Sequence, residues 1–130
     1  MVAITNPMMG RRGNRKGHRL SRDEDLGLEK RRIVGDYIAD LRLSRGLTQL
    51  DVAKALGMRD AAVSAIELGR NSLPPERMAE MADILGVNRR EFAKAVTRHY
   101  NPWLFSMLFP KELMEEDLKG LPERLVDHRK

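Results

Sequence analysis

The sequence contains no cysteine, which excludes disulfide scaffolds, thiolate metal sites and cysteine nucleophiles together. Its three histidines, His18, His99 and His128, are scattered, so no histidine-rich metal site is expected. No run approaches the ~18 consecutive apolar residues that a membrane-spanning helix needs. Met1–Met9 lack a basic region leading into an apolar core, so no secretory signal is read and a cytoplasmic protein is expected. Alternation of apolar and polar residues with period two is missing, and with it the expectation of a sheet. Also missing is a catalytic constellation. Glu67, Glu80 and Asp83 are not paired over a pocket by any visible pattern, Ser64 has no histidine near it in sequence, and His99 sits at a helix end beside Tyr100. The sequence reads as a non-enzyme with no cofactor and no metal.

Acid is absent from the first 22 residues, which hold six basic side chains: Arg11, Arg12, Arg15, Lys16, Arg19 and Arg22. The net charge of +5 therefore belongs to this arm, because the other 18 basic residues face all 19 acids. Basic arms attract phosphate backbones, although a solubilising tail has the same composition. The arm, 1–28, also has almost no large apolar residue after Met9. It cannot bury enough surface to offset its ordering entropy, and it is expected to be disordered when free. Gly10, Gly13 and Gly17 do not make a phosphate loop, since neither a preceding strand nor a following helix start is suggested.

What is present is one domain's length of helical pattern. The chain of 130 residues, 42% hydrophobic and 33% charged, has room for one compact core with tails. From Glu29 to Ser44, Ile33 or Val34, then Tyr37, Ile38 and Leu41 recur at spacings of three and four. Thr48 is a good N-cap for a second helix, Gln49 to Leu56, with Leu50, Val52, Ala53 and Leu56 available to a core. Asp51 is an imperfect capping-box partner for it. A third helix is expected over about Arg59–Leu68 with Val63 and Ile66 inward. A fourth covers Glu76–Leu85 with Met78, Met81, Ala82 and Leu85 on one side. A fifth covers Arg89–His99, capped by Asn88, with Phe92 and Val96 inward. The expected architecture is all-α: an arm at 1–28, a five-helix domain at 29–100 and an extension at 101–130.

Helices two and three are short and joined through Gly57, which is helix-turn-helix spacing. Ala53 is small enough for a close crossing, and Gly57 permits a tight turn. Val63 and Ile66 anchor the third helix while its leading end projects outward, where a major groove can receive it.

At this point the chain resembles the Cro/C1-type helix-turn-helix regulators, the XRE family, whose fold is lambda repressor-like. The matching run is Leu41-Arg42, Gly46-Leu47-Thr48-Gln49, Val52-Ala53, Leu56-Gly57-Met58, Val63-Ser64, Ile66-Glu67 and Gly69. It continues through Pro74, Met78, Ala82, Leu85-Gly86-Val87 and Phe92, covering about 33–97. The resemblance implies double-stranded DNA as partner, a homodimer of bacterial or phage type, and a set of site residues. Gln49 binds a phosphate at the start of helix two, where a helix N-terminus favours anions in any case. Thr48 adds a phosphate contact or serves only as a cap. Arg42 pairs with Glu67, orients the third helix and faces a phosphate. Arg70 grips the backbone, assisted by Asn71 and Ser72.

The base-reading positions depart from the family pattern. Where glutamine, arginine or lysine is common, this chain has Asp60, Ala61 and Ala65. Asp60 can accept from cytosine N4, while Ala61, Ala62 and Ala65 offer only apolar contact, such as to a thymine methyl. Arg59 either reads guanine N7 and O6 or holds a phosphate. Ser64 either reaches a base edge or stays near the backbone. Direct readout is thin, so specificity must draw on DNA shape, the arm or dimer spacing.

The most apolar stretch is Pro102–Pro110, with the only tryptophan and two of the three phenylalanines. Trp103, Leu104, Phe105, Leu108 and Phe109 either fold back on helices one and five or form a dimer interface. Residues 111–130 suggest a short amphipathic helix followed by a fraying end. The overall expectation is a sequence-specific DNA-binding transcriptional regulator, a repressor before an activator, with RNA polymerase as a conceivable protein partner and no membrane. The competing expectation is an antitoxin-like or adaptor module that binds a protein through 103–109, with DNA binding secondary.

Overall fold

The structure, a computed structural model, describes residues 22–119. Among these residues the chain forms seven α-helices and no strand. Helix α1 (Arg22–Ser44) begins before Glu29, so 22–28, expected as the end of the arm, is helical. Val34 is buried and Ile33 exposed. Val34, Ile38 and Leu41 share one stripe, and Ile33 lies about 100° round from it.

Helix α2 (Gln49–Leu56) starts on a complete capping box. The Asp51 N–H donates to Thr48 Oγ1 at 3.0 Å and the Thr48 N–H donates to Asp51 Oδ2 at 2.8 Å. Aspartate thus closes the box despite being shorter than the usual glutamate. Val52, Ala53 and Leu56 are buried, whereas Leu50, counted above as available to the core, is exposed. The helix ends at Gly57, whose φ of 68° is left-handed. The Met58 N–H then returns to Ala53 O at 2.8 Å, which closes the turn. Helix α3 (Asp60–Glu67) is one residue shorter at each end than expected, and Val63 and Ile66 are buried.

The loop after α3 is held by Leu73, which is buried and donates its N–H to the Tyr100 hydroxyl at 3.0 Å. The fourth expected helix divides into a 3-10 turn at Pro75–Arg77 and helix α4 (Met78–Leu85). Arg77 Nη1 leaves this turn to donate to Leu56 O at 2.7 Å, satisfying a carbonyl at the end of α2. Helix α5 (Arg89–Tyr100) is capped by Asn88, whose Oδ1 accepts from the Glu91 N–H at 3.0 Å. One core runs through all five helices: Val34 and Ile38, Val52 and Leu56, Val63 and Ile66, Met81 and Leu85, Phe92 and Val96. Tyr37 stacks on Phe92 with ring centroids 6.0 Å apart.

The extension packs on α5. Helix α6 (Pro102–Leu108), capped by Asn101, is followed by a 3-10 turn at Pro110–Glu112 and a short α7 (Glu115–Leu118). Phe105 and Phe109 are buried beneath Arg98 and Arg90, whose guanidinium carbons lie 4.6 and 4.9 Å from the two ring centroids. Lys94 Nζ reaches Glu112 Oε1 at 3.1 Å and Arg98 Nη2 donates to Glu112 O at 2.9 Å. The two alternatives for the 103–109 segment thus divide between two faces of one helix. Phe105 and Phe109 belong to the core and are withdrawn as interface residues, while Trp103, Leu104 and Leu108 stay exposed, joined by Met107. Two turns of helix cannot bury every side of an apolar run. Of the amphipathic helix expected after Lys111, only α7 is observed, and 120–130 lies outside the described residues.

Candidate nucleic-acid interface

Three side chains from three helices meet behind the leading face of α3. Glu67, only 7% exposed, is the centre. Arg42 from α1 donates through Nε to Glu67 Oε2 at 2.7 Å and through Nη2 to Oε1 at 3.0 Å. Its Nη1 donates to Leu47 O at 2.8 Å. Gln49 from α2 adds a bond from Nε2 to Glu67 Oε1 at 2.9 Å. Donating to the Glu67 carboxylate raises the Arg42 pKa further, against the opposing pull of burial, so the guanidinium stays charged. A buried carboxylate is tolerable only when its charge and lone pairs are matched in this way.

This geometry bears on two of the expected site residues. Arg42 has three of its five N–H groups engaged inside the protein and a side chain only 11% exposed. It is the ion-pair partner of Glu67. Gln49 likewise turns one amide N–H inward, to Glu67. The backbone N–H groups of Gln49 and Leu50 stand in the first turn of α2, ahead of any intrahelical acceptor. They give that helix end its affinity for an anion. Thr48 Oγ1 accepts from Asp51, which is the capping role, and its hydroxyl proton remains a donor.

Across the turn, Arg59, Asp60 and Ala61 are exposed, and Ser64 and Ala65 are half-buried. Arg59 is the N-cap of α3 in extended conformation and makes no side-chain capping bond. The first-turn N–H groups of α3 are therefore uncapped by any side chain, beside the exposed Asp60 carboxylate. Beyond the helix, Arg70 and Asn71 are exposed. Both of their backbone N–H groups bond to Ala65 O, at 2.9 and 3.3 Å. Their side chains are exposed to solvent. The arm residues Arg11, Arg12, Arg15, Lys16 and Arg19 lie outside the described residues.

Sequence reasoning missed two residues that set the pose of α3. Gly35 is buried in the middle of α1, directly against the backbone at the end of α3. A Cβ there would meet the Glu67 carbonyl oxygen and lie 2.7 Å from both Ile66 O and Glu67 C. The signal was available: an isolated glycine inside a helical pattern costs about 1 kcal/mol relative to alanine, which asks for a packing reason. The second is Arg31, whose Nε donates to Gly69 O at 2.8 Å. It ties the loop after α3 back to α1.

Among the described residues no group of three potential ligands could hold a metal ion, and no helix is long and apolar enough to cross a membrane. The fold and this site define a helix-turn-helix domain with its second helix end and third helix turned outward. A family model described as Helix-turn-helix matches residues 38–92. The chain is also 34% identical over 64 residues to an uncharacterized HTH-type transcriptional regulator, y4dJ, of Sinorhizobium fredii, covering 49% of this chain and 83% of that protein. No solved structure matches. The chain belongs to the Cro/C1-type, or XRE, helix-turn-helix family of DNA-binding transcriptional regulators.

Proposed function

We propose that the protein acts as a homodimer that lays α3 along the major groove of duplex DNA and represses transcription where its site overlaps a promoter. The observation that carries this reading is the two-sidedness of α3. Its leading residues Arg59, Asp60 and Ala61 are exposed, while Val63, Ile66 and Glu67 are buried behind them. Phosphates on either side of the groove go to the α2 N-terminus with Gln49 and Thr48, and to Arg70 and Asn71. Base edges go to Arg59, Asp60, Ala61, Ser64 and Ala65. The arm follows the backbone or enters the adjacent minor groove.

The exposed face of α6, Trp103, Leu104, Met107 and Leu108, supports a second copy as partner. Two copies present two recognition helices to half-sites about 34–36 Å apart. The experiment is a selection from random duplexes followed by footprinting and sedimentation of the purified protein. A homodimer protecting a palindrome is expected. Indifference to every duplex in dilute salt overturns the reading, and a stable heteromeric complex that masks 103–109 favours the adaptor function instead. Within the same assay, deletion of residues 1–22 is expected to weaken binding and flatten its salt dependence. Arg59→Ala is expected to relax preference at one base pair; a uniform loss on all sequences makes Arg59 a phosphate contact.

A further inference from the structure

The outward face of α3 carries a feature that phosphate and hydrogen-bond roles leave unused. At 3.6 residues per turn, Ala61, Ala65 and Leu68 fall within about 60° of one another. Val63 and Ile66, the buried anchors, lie on the opposite side. Leu68 is the C-cap of α3, with φ −83° and ψ −4°, and is 40% exposed. It is not among the residues of the core cluster or those packed against it. The three residues make an apolar stripe about 10 Å long, the length of about three base-pair steps.

We propose that this stripe is a thymine-methyl reader, and that it makes the binding site thymine-rich in the base pairs under α3. The inference rests on the DNA-binding reading above and deepens it. The edges displayed in a major groove are hydrogen-bond donors and acceptors, with one apolar exception, the C5-methyl of thymine. Alanine and leucine can match only that exception. Laid over cytosine or guanine, the stripe would strip water from the N4 amine or O6 without replacing its hydrogen bond. The occupant is identified by the charges at each end of the stripe. Arg59 leads it and Arg70 follows it, both exposed, and no ion pair joins either to another described residue. Cations bracketing an apolar strip match two phosphate rails bracketing a row of methyl groups. They match poorly an apolar protein surface, which would leave two arginines desolvated at its rim.

The test removes the methyl and nothing else. The preferred duplex is selected, each thymine in the half-site is replaced in turn by deoxyuridine, and affinity is read by fluorescence anisotropy. Under the stripe each replacement is expected to weaken binding about fourfold, which is about 0.8 kcal/mol for one buried methyl-sized group. Replacing cytosine by 5-methylcytosine at an adjacent position under the stripe is expected to tighten binding. The variant Leu68→Ala, which keeps helix propensity, should bring the thymine-to-uracil affinity ratio at its own base step towards one. Equal affinity for thymine and uracil duplexes, with sequence preference intact, overturns the methyl reader and leaves DNA binding standing. A selected site without thymine under α3 does the same. Failure to bind any duplex overturns both.

Discussion

Gly35→Ala is the sharpest test of how α3 is held. In an exposed helix this substitution stabilises by about 1 kcal/mol, because alanine loses less conformational freedom and propagates the helix better. At position 35 the sign should reverse. The added methyl would sit against the Glu67 carbonyl oxygen and 2.7 Å from Ile66 O and Glu67 C. These are backbone atoms of α3 and no side-chain rotamer change can relieve them. Helix α1 must back away, which opens the Val34 and Ile38 contacts and stretches the bonds from Arg42 to Glu67. Overpacking of this kind costs roughly 1–3 kcal/mol, and with backbone on both sides the upper end applies. After the helix-propensity gain, about 2 kcal/mol of net destabilisation is expected, a Tm lower by roughly 8–16 °C for a domain of this size. Gly27→Ala is the control in the same helix. Its nearest neighbour is the flexible end of Arg31, with Nη1 at 3.3 Å, so there the ordinary sign should hold. Thermal unfolding followed by circular dichroism reads both. If Gly35→Ala melts at or above the parent temperature, α1 and α3 do not cross as closely as argued.

Arg42→Ala should be among the most damaging substitutions, because it leaves the Glu67 carboxylate buried with only Gln49 against it; a loss of about 3–5 kcal/mol is expected by chemical denaturation. Arg59→Ser supplies α3 with the side-chain cap it lacks and should raise stability by about 0.5–2 kcal/mol while weakening DNA binding, as calorimetry and anisotropy on one sample will show. His99 is half-buried, and burial, Arg98 and Lys30 lower its pKa against the opposing pull of Asp117. A group lowered on folding contributes stability that is present above its unfolded pKa, about 6.5, and lost as pH falls through the folded value. Stability should therefore decline on acidification below about pH 6.5, less steeply in His99→Gln, and an NMR titration should place the ring below the ordinary histidine value.

The fold was legible where stability is local. Thr48, Gly57 and Asn88 mark helix ends by their own chemistry, and each stands where the structure starts or stops a helix. Periodicity found Val63 and Ile66 for the same reason, since a face buried along its length leaves a repeat in the sequence. It could not decide between Ile33 and Val34, which are adjacent, nor see that Leu50 points away from the core. A run such as 102–109 is apolar on every side, so no periodicity distinguishes the buried Phe105 from the exposed Leu104. The Pro75–Arg77 turn escaped notice because proline is acceptable at the first position of either helix type.

The site was legible by pattern and only partly by chemistry. The pairing of Arg42 with Glu67 was available only through the resemblance to the family, because nothing in the sequence itself marks either residue as buried. The inward turn of Gln49 was not, because an amide that can donate to a phosphate can equally donate to a carboxylate, and only distance decides. That distance has a consequence for regulation of the pose. Glu67 ends α3 and holds Arg42 of α1 and Gln49 of α2 at once, while Gly35 lets the backbones of α1 and α3 touch. Helix α3 is thus fixed from behind by a charged node and a close crossing, and none of the residues at its outward tip helps to hold it. Arg59, Asp60 and Ala61 can change with little effect on the position of the helix that carries them. On the DNA-binding reading proposed above, a chain built this way can alter which bases it reads without rebuilding the support.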